Sequence, residues 1–407
     1  MIRHCLRLVW NRKRTNLLVT LEIFFSFLVV AAVVVTASHY VGLYRQPLGF
    51  TIDDVWIVRI DTNTGDLEPT PALNAATIEQ MRLLDAAVRE FPEVIAAARG
   101  FAAPYVDSQW INEVEHSGRH IPYNVNMVTD DYHRVFGLRV TRGRWFSAED
   151  DAAATIEPTV INERFAAEVF GTDNAIGKVI PQDARRDGTR PPERRVVGVI
   201  EEFRQLGDFT TPGNYAFLRH RPSAAPDGQV PTAMLIKVRP GTTTAFEERL
   251  ARRFHDVARG WSFEFQRLDE LRAASHRDTL GPLVAEGVIA AFLLLMVALG
   301  LTGVMWQTVT QRTREIGLRR ANGAAARRVK TQILLELTLM ASVAIGLGVL
   351  VVVQVPLLEI VGGIPGRAYV TGLVISAAAI YLLTMACGWY PSRMAARIPP
   401  AEALRYE

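Results

Sequence analysis

Residues 311–330 read QRTREIGLRRANGAAARRVK and are flanked on both sides by apolar runs long enough to cross a membrane. A connection between two such runs has only to turn the chain round, yet this one carries Arg312, Arg314, Arg319, Arg320, Arg327, Arg328 and Lys330. It also holds a short apolar set, Ile316, Leu318 and Ala321, with Gly317 inside it and Gly323 just after it. Charge of this density marks the cytoplasmic side of a membrane protein. Fixing topology, however, needs no glycine pair around an Ile-Leu face, whereas a helix that fits a groove on another protein does use one.

Working outward, four segments meet the criterion of ~20 mostly apolar residues for a spanning helix. They are Asn16 to Ser38, about Ala285 to Gln307, Ile333 to Val355 and Tyr369 to Trp389. The first follows a basic start, as a signal peptide would, but its apolar stretch is too long for one and carries Glu22. Arg3, Arg7, Arg12, Lys13 and Arg14 before it, and Arg393, Arg397 and Arg405 after the fourth, put both termini on the cytoplasmic side. Residues between the first and second spans then form one large extracytoplasmic domain. Ile2, Cys5, Leu6, Val9 and Trp10 recur at helical spacing, which predicts an amphipathic helix lying in the inner membrane surface.

Composition agrees with a membrane protein that has a sizeable soluble part: 407 residues, 49% of them apolar. A formal charge of +3 is too near balance for a nucleic-acid binder. Two cysteines, Cys5 and Cys387, at opposite ends of the chain exclude a disulfide framework. The external domain must therefore fold on its core alone.

Inside that domain DVWIVRI, ALNAATIEQMRLLDAAVREF and EVIAAARGFAA read as strand, helix, strand; TAMLIKVRP, TTAFEERLARRFHDVA and SFEFQRL repeat the order. Two βαβ units thus bracket the domain. Between them, short strands are expected at HIPYNVNMV, PTVI, GKVI and RRVVGVI, and PQDARRDGTRPPERR reads as an exposed loop. Gly143 fits a positive-φ turn, Trp145 and Phe146 core, and Ser147 with Asp150 a helix start. Gly171 fits a helix C-cap and Gly177 a turn into the next strand.

VNMVTDDYHRVFGLRVTRGRWFSAED, PTVINERFAAEVFGTDNAIGKVI and RRVVGVIEEFR resemble, in order, the external core domain of MacB-type ABC transporter permeases. TREIGLRRANGAAARRV and YPSRMAARIPPAEALR resemble the cytoplasmic connection and the tail of the FtsX-like permease domain. The resemblance implies a type VII, mechanotransmission ABC permease. Its fold is an α-helical membrane protein with four transmembrane helices and a large α+β extracytoplasmic domain of two βαβ porter-like units with an inserted small β-rich subdomain. The expected order is an interfacial helix (1–15), the first span (16–39), the core domain (40–280), the second span (281–309), a coupling helix (310–331), the third span (332–356), an external loop (357–368), the fourth span (369–390) and a cytoplasmic tail (391–407). Within the core, porter halves fall at about 50–104 and 231–270 and the insert at about 105–230.

In the resembling family the 310–331 connection docks on the nucleotide-binding subunit, which assigns ATPase coupling to Arg314, Glu315, Ile316, Gly317, Leu318, Arg319, Arg320 and Gly323. Family members commonly have an aliphatic residue where Asn322 stands, a departure that fits one member of an unequal pair of permeases. No GxxxxGK[ST] phosphate loop, HExxH, paired-cysteine metal motif or GxSxG occurs in the sequence. The chain is therefore expected to be non-catalytic, without cofactor or metal, with ATPase activity in a separate subunit. HSGRH, His116 to His120, lacks carboxylate or cysteine company and reads as an exposed loop.

Gly300 and Gly303, one turn apart in the second span, are read as packing positions where helices approach closely in lipid. Glu22 is deep in the first span and is expected to face a neighbouring subunit; Glu286 and Glu336 lie near span ends. A proton-coupled secondary transporter would also use such carboxylates, but the four spans show no paired half-structure. Two readings follow. One is a permease that turns cytoplasmic ATP hydrolysis into movement of its external domain, driving efflux or extraction of a peptide, drug or lipoprotein from the periplasmic side. The alternative is an FtsX-like signal transmitter that activates an external cell-wall hydrolase. Expected partners are the cytoplasmic ABC ATPase, a second permease (a homodimer or a related paralogue), a membrane-fusion adaptor and membrane lipid, with no nucleic acid. The expected location is the bacterial inner membrane, multi-pass, with the large domain in the periplasm.

Overall fold

The computed structural model describes residues 13–63, 71–116, 118–152, 156–181, 193–220, 230–311, 318 and 325–395. In chain order its elements are α1 (Lys13–Tyr44), β1 (Val55–Asp61), α2 (Pro71–Arg89), β2 (Val94–Gly100), β3 (Trp110–His116), β4 (Arg119–Val128), α3 (Tyr132–Phe136), β5 (Val140–Gly143), β6 (Ile156–Asn162) and α4 (Glu163–Phe170). There follow β7 (Glu193–Ile200), β8 (Tyr215–Arg219), β9 (Ala233–Val238), α5 (Thr244–Val257), β10 (Ser262–Arg267), α6 (Leu268–Gln311), α7 (Ala326–Leu357) and α8 (Gly366–Ala395). They form two units, residues 43–278 and a membrane unit of residues 1–42 with 279–407. The interfacial helix expected at 1–15 falls almost wholly outside the described residues, as do most of the 310–331 connection and the end of the tail.

Helices α1, α6, α7 and α8 are each long and apolar enough to cross a membrane. A chain in hydrocarbon must pair every backbone group internally, which for runs so rich in Leu, Val and Ala leaves only the helix. Leu268 is fully buried in the external core, and Asp269 and Glu270 follow it in the first turn. Carboxylates there favour a helix N-terminus, so α6 starts well before the span expected at 281.

In the external unit the strand and helix assignments of both βαβ units hold, and the structure adds how their strands are ordered. Strand β9 lies between β1 and β2, antiparallel to both, and β1 lies between β9 and β10. The two units, which bracket the domain in sequence, are interleaved in one sheet, the split βαβ pattern. Helices α2 and α5 cover one face through Met81, Leu84, Val88, Phe246, Leu250 and Phe254, packed on Trp56, Val58, Met234 and Ile236. The insert continues the same sheet, in the order β10-β1-β9-β2-β4-β8-β6-β7-β5, joined through a single register pair, Gly100 with Val128. An aromatic core on the other face, with Phe50, Tyr132, Phe136, Trp145, Phe203 and Phe217, serves both halves. Burying a side chain of this size stabilises by about 1.5–3 kcal/mol, so this cluster unites the domain more than one strand pair does.

Gly143 has φ 72°, and a Cβ there would meet the Val197 carbonyl oxygen. Ser147 N–H donates to Asp150 Oδ2 at 2.9 Å ahead of a 3-10 turn over Ala148–Ala152. Gly171 caps α4 with φ 63°, its N–H donating to the Ala167 carbonyl. GKVI is not a strand: it contributes one isolated pair, Val179 with Arg195. HSGRH is not a loose loop either, since His116 pairs with Arg119 where β3 turns into β4.

Candidate force-transmission site

The membrane unit packs around Ile23, Phe27 and Ala31 of α1, Val297 and Leu301 of α6, Leu337, Ala341 and Ala344 of α7, and Ile380 of α8. Small residues let the backbones approach where apolar burial supplies little net drive. A Cβ built on Gly300 would lie 2.6 Å from Glu22 Oε2, so the carboxylate of this half-buried residue sits against α6 of its own chain. Gly348 receives the Phe27 ring, and Gly372 lies against Val35, its would-be Cβ 3.0 Å from that residue's backbone nitrogen. Among the described residues, no atom lies within 4 Å of a Cβ built on Gly303, so its open side does not meet the described parts of the other helices. Sequence reading offered the small-residue stretch ASVAIGLG of the third span, which ends in Gly348, but did not single out Gly372 in α8, where small residues are common throughout the helix. Glu286 is exposed, and Glu336 is half-buried with Gln332 donating to it at 3.3 Å.

Of the coupling set only Leu318 is described, helical and 47% exposed. Arg314, Glu315, Ile316, Gly317, Arg319, Arg320 and Gly323 lie outside the described residues. Beyond the connection Lys330 places its ammonium 3.2 Å from the centre of the Trp389 ring, tying the start of α7 to the end of α8.

Sequence reading missed a polar cluster in the external unit, where the loop between β7 and β8 meets the end of α1 and the start of α6. Arg204, 2% exposed, donates through Nη1 to the carbonyls of Leu43 (3.0 Å) and Gln46 (3.1 Å). Its Nη2 reaches the carbonyls of Asp208 (2.6 Å) and Thr210 (2.7 Å), and Nε also points at Thr210. Asp208, 4% exposed, accepts from Arg272 Nε and Nη2 (3.0 and 2.9 Å), from Tyr105 Oη (2.8 Å), and pairs with His276 Nε2 (2.7 Å). Burial alone would raise the Asp208 carboxyl, but the bonds from Arg272, His276 and Tyr105 outweigh it and bring the pKa down to about 2. Burial first, and then the bond to Asp208, push the Tyr105 phenol far above its ordinary value. The legible signal was Arg272 and His276, four apart and therefore on one helix face.

Two clefts open on the external unit. One, of about 590 Å³, lies beside β1 and β10 between Arg59, Asp61, Phe101, Val106 and Glu264. The other, of about 720 Å³, is acidic, lined by Glu163, Glu168, Glu201 and Glu202 with Arg164.

Four helices long and apolar enough to span a membrane, with a large mixed-sheet domain inserted in the chain between the first and second, define a polytopic membrane protein with an extracytoplasmic domain. Residues 27–253 match the family model for the MacB-like periplasmic core domain, and residues 287–400 that for the FtsX-like permease C-terminal region. The chain belongs to the MacB/FtsX-like family of ABC transporter permeases. It is 30% identical over 322 residues to the macrolide export ATP-binding/permease protein MacB of Hahella chejuensis, covering 75% of this chain and 47% of that protein. It is 27% identical over 290 residues to the ABC transporter permease YknZ of Bacillus subtilis, covering 70% of each. MacB of Bordetella avium is 29% identical over 395 residues, 93% of this chain and 56% of that protein, so the chain spans about half the length of these MacB relatives. Among solved structures, the periplasmic region of MacB from Actinobacillus actinomycetemcomitans aligns over 57% of this chain and 97% of its own, at 13% identity and a TM-score of 0.37.

Proposed function

We propose that this chain is the non-catalytic membrane subunit of an ABC transporter, moved by ATP hydrolysis in a separate cytoplasmic ATPase. The ATPase docks on the 310–331 connection through Arg314, Glu315, Ile316, Gly317, Leu318, Arg319, Arg320 and Gly323. Its movement reaches the external domain, which drives efflux or extraction of a peptide, drug or lipoprotein from the periplasmic side of the inner membrane. Both termini are cytoplasmic, a second permease completes the pair, and a membrane-fusion adaptor receives the substrate.

The observation that carries this reading is α6, unbroken from Leu268, next to β10, to Gln311, at the edge of the coupling connection. At ~1.5 Å rise per residue it forms a rod of roughly 65 Å, long enough to carry a displacement from one to the other. The test is reconstitution of the chain with its ATPase in proteoliposomes. Glu315→Ala and Gly317→Val should insert normally yet lose coupled transport, and the chain alone should turn over no ATP. Transport at the parent rate by both variants would defeat the docking assignment. Hydrolase activation outside without transport would instead support FtsX-like signalling.

A further inference from the structure

We infer that Arg204 and Asp208 are positioning residues that clasp the end of α1 and the start of α6 to one loop of the external domain, so that the two helices drive the domain as a single body. The inference deepens the transmission function proposed above and rests on it.

A helix ends with carbonyls that have no intrahelical partner. At the end of α1 the Leu43 carbonyl, and beyond it that of Gln46, are taken by one guanidinium, a favourable place for a cation. The same Arg204 side chain uses its remaining donors on the carbonyls of Asp208 and Thr210, within its own loop. Lysine has neither the number of donors nor their fixed fork geometry. Four residues on, the Asp208 carboxylate holds Arg272 and His276, successive turns of α6. Tyr44 of α1, Phe209 of the loop and His276 of α6 also pack together, with ring centroids 5.0 to 6.1 Å apart and Tyr44 stacked on Phe209.

The loop is in turn fastened to the domain. Phe203 is buried in the aromatic core, Gln205 donates to the Ser108 carbonyl at 2.7 Å and accepts from Tyr215 Oη at 2.5 Å, and Tyr105 reaches Asp208. Sliding one helix end past the other would strip buried charged groups of their partners, which is far more costly than losing an exposed ion pair. Apolar residues of similar volume would hold the chain folded as well, but without fixing direction; bonds to named carbonyls and to successive turns of α6 do fix it.

The test uses the full chain with its ATPase in lipid nanodiscs, in a Cys5→Ser, Cys387→Ser background, with nitroxides at Arg45 and Asp278, both exposed. Electron paramagnetic resonance should give one narrow distance distribution, the same without nucleotide and with ATP and vanadate. Arg204→Gln should broaden or split it; Arg272→Gln, at a partly exposed side chain, removes two bonds and should do so with the fold intact by limited proteolysis. Both should lower transport by roughly tenfold with ATPase association retained. A parent distance that shifts between nucleotide states would overturn the clasp, as would a narrow distance in Arg272→Gln. Broadening with undiminished transport would overturn its role in positioning. The distance readout does not depend on transport, so failure of the transporter reading is seen separately, as a parent that associates with no ATPase.

Discussion

Gly372→Leu is expected to loosen the membrane unit, while Gly303→Leu leaves the isolated chain's packing unchanged. A Cβ on Gly372 would stand 3.0 Å from the backbone nitrogen and 3.1 Å from the Cα of Val35, so relief requires moving helix α1 itself. Overpacking of this kind costs about 1–3 kcal/mol. In lipid, close van der Waals contact does most of the holding, so a gap opened between α1 and α8 is poorly compensated. At about 1.4 kcal/mol per tenfold change, the loosened state should gain roughly 5- to 150-fold in population. Cys387, a free and half-buried thiol on α8, supplies the readout: a thiol-reactive fluorophore follows its exposure on heating in detergent. The Gly372→Leu transition should fall by several degrees, and Gly303→Leu, with open space around it, should match the parent as a monomer. An unshifted Gly372→Leu, or an equal fall in monomeric Gly303→Leu, would refute the packing argument. Gly303→Leu that is stable alone but fails to self-associate or transport would place Gly303 against the second permease.

Asp208 titrates at about 2 when folded, below an ordinary carboxylate, so its contribution is present above about pH 4 and is lost as the pH falls through about 2. That contribution is of order 2–3 kcal/mol, and Asp208→Asn should flatten the acid limb of an unfolding curve followed by tyrosine and tryptophan fluorescence. Gly143→Ala puts a Cβ 2.7 Å from Ile176 Cδ1 at a φ of 72°, and should destabilise the external domain by about 1–3 kcal/mol, seen as faster proteolysis. Cysteines at His120 and Ala325, both exposed, should be labelled by an impermeant reagent in spheroplasts at 120 and not at 325; labelling of both would overturn the four-span topology.

Much of the architecture was legible because its signals are local. Four apolar runs and the distribution of arginine suffice for the spans, and alternation in VWIVRI or helical spacing in AFEERLARRF suffices for single elements. The order of strands in the sheet was not legible, since periodicity says which face of a strand is buried and nothing about its neighbour. The apolar run AMLI of β9, buried on both faces as a central strand requires, fits its place between β1 and β2. GKVI shows the opposite failure: a strand-like tetrapeptide in which the turn at Ile176 and Gly177 leaves room for a single bridge at Val179.

The helix-end cluster was hidden for a different reason. Arg204, Asp208, Arg272 and His276 look in sequence like ordinary loop and helix-surface charges, and only the long-range fold removes two of them from water. Burial inverts their meaning. An exposed arginine near a glycine is unremarkable, whereas one at 2% exposure with every donor committed is held in place by the backbone it binds. The glycine explains the neighbourhood too: Gly207 sits at φ 91° with the Tyr105 ring where a Cβ would go, so the loop can fold tightly enough to aim Arg204 at one helix end and Asp208 at the other. Two opposite charges four residues apart, turned outward by one glycine, reach the end of α1 at Tyr44 and the start of α6 at Leu268, 224 positions apart along the chain, only if the intervening domain is already folded. Registration of the two helix ends therefore depends on the folded external domain, as the proposed transmission of a displacement through either helix requires.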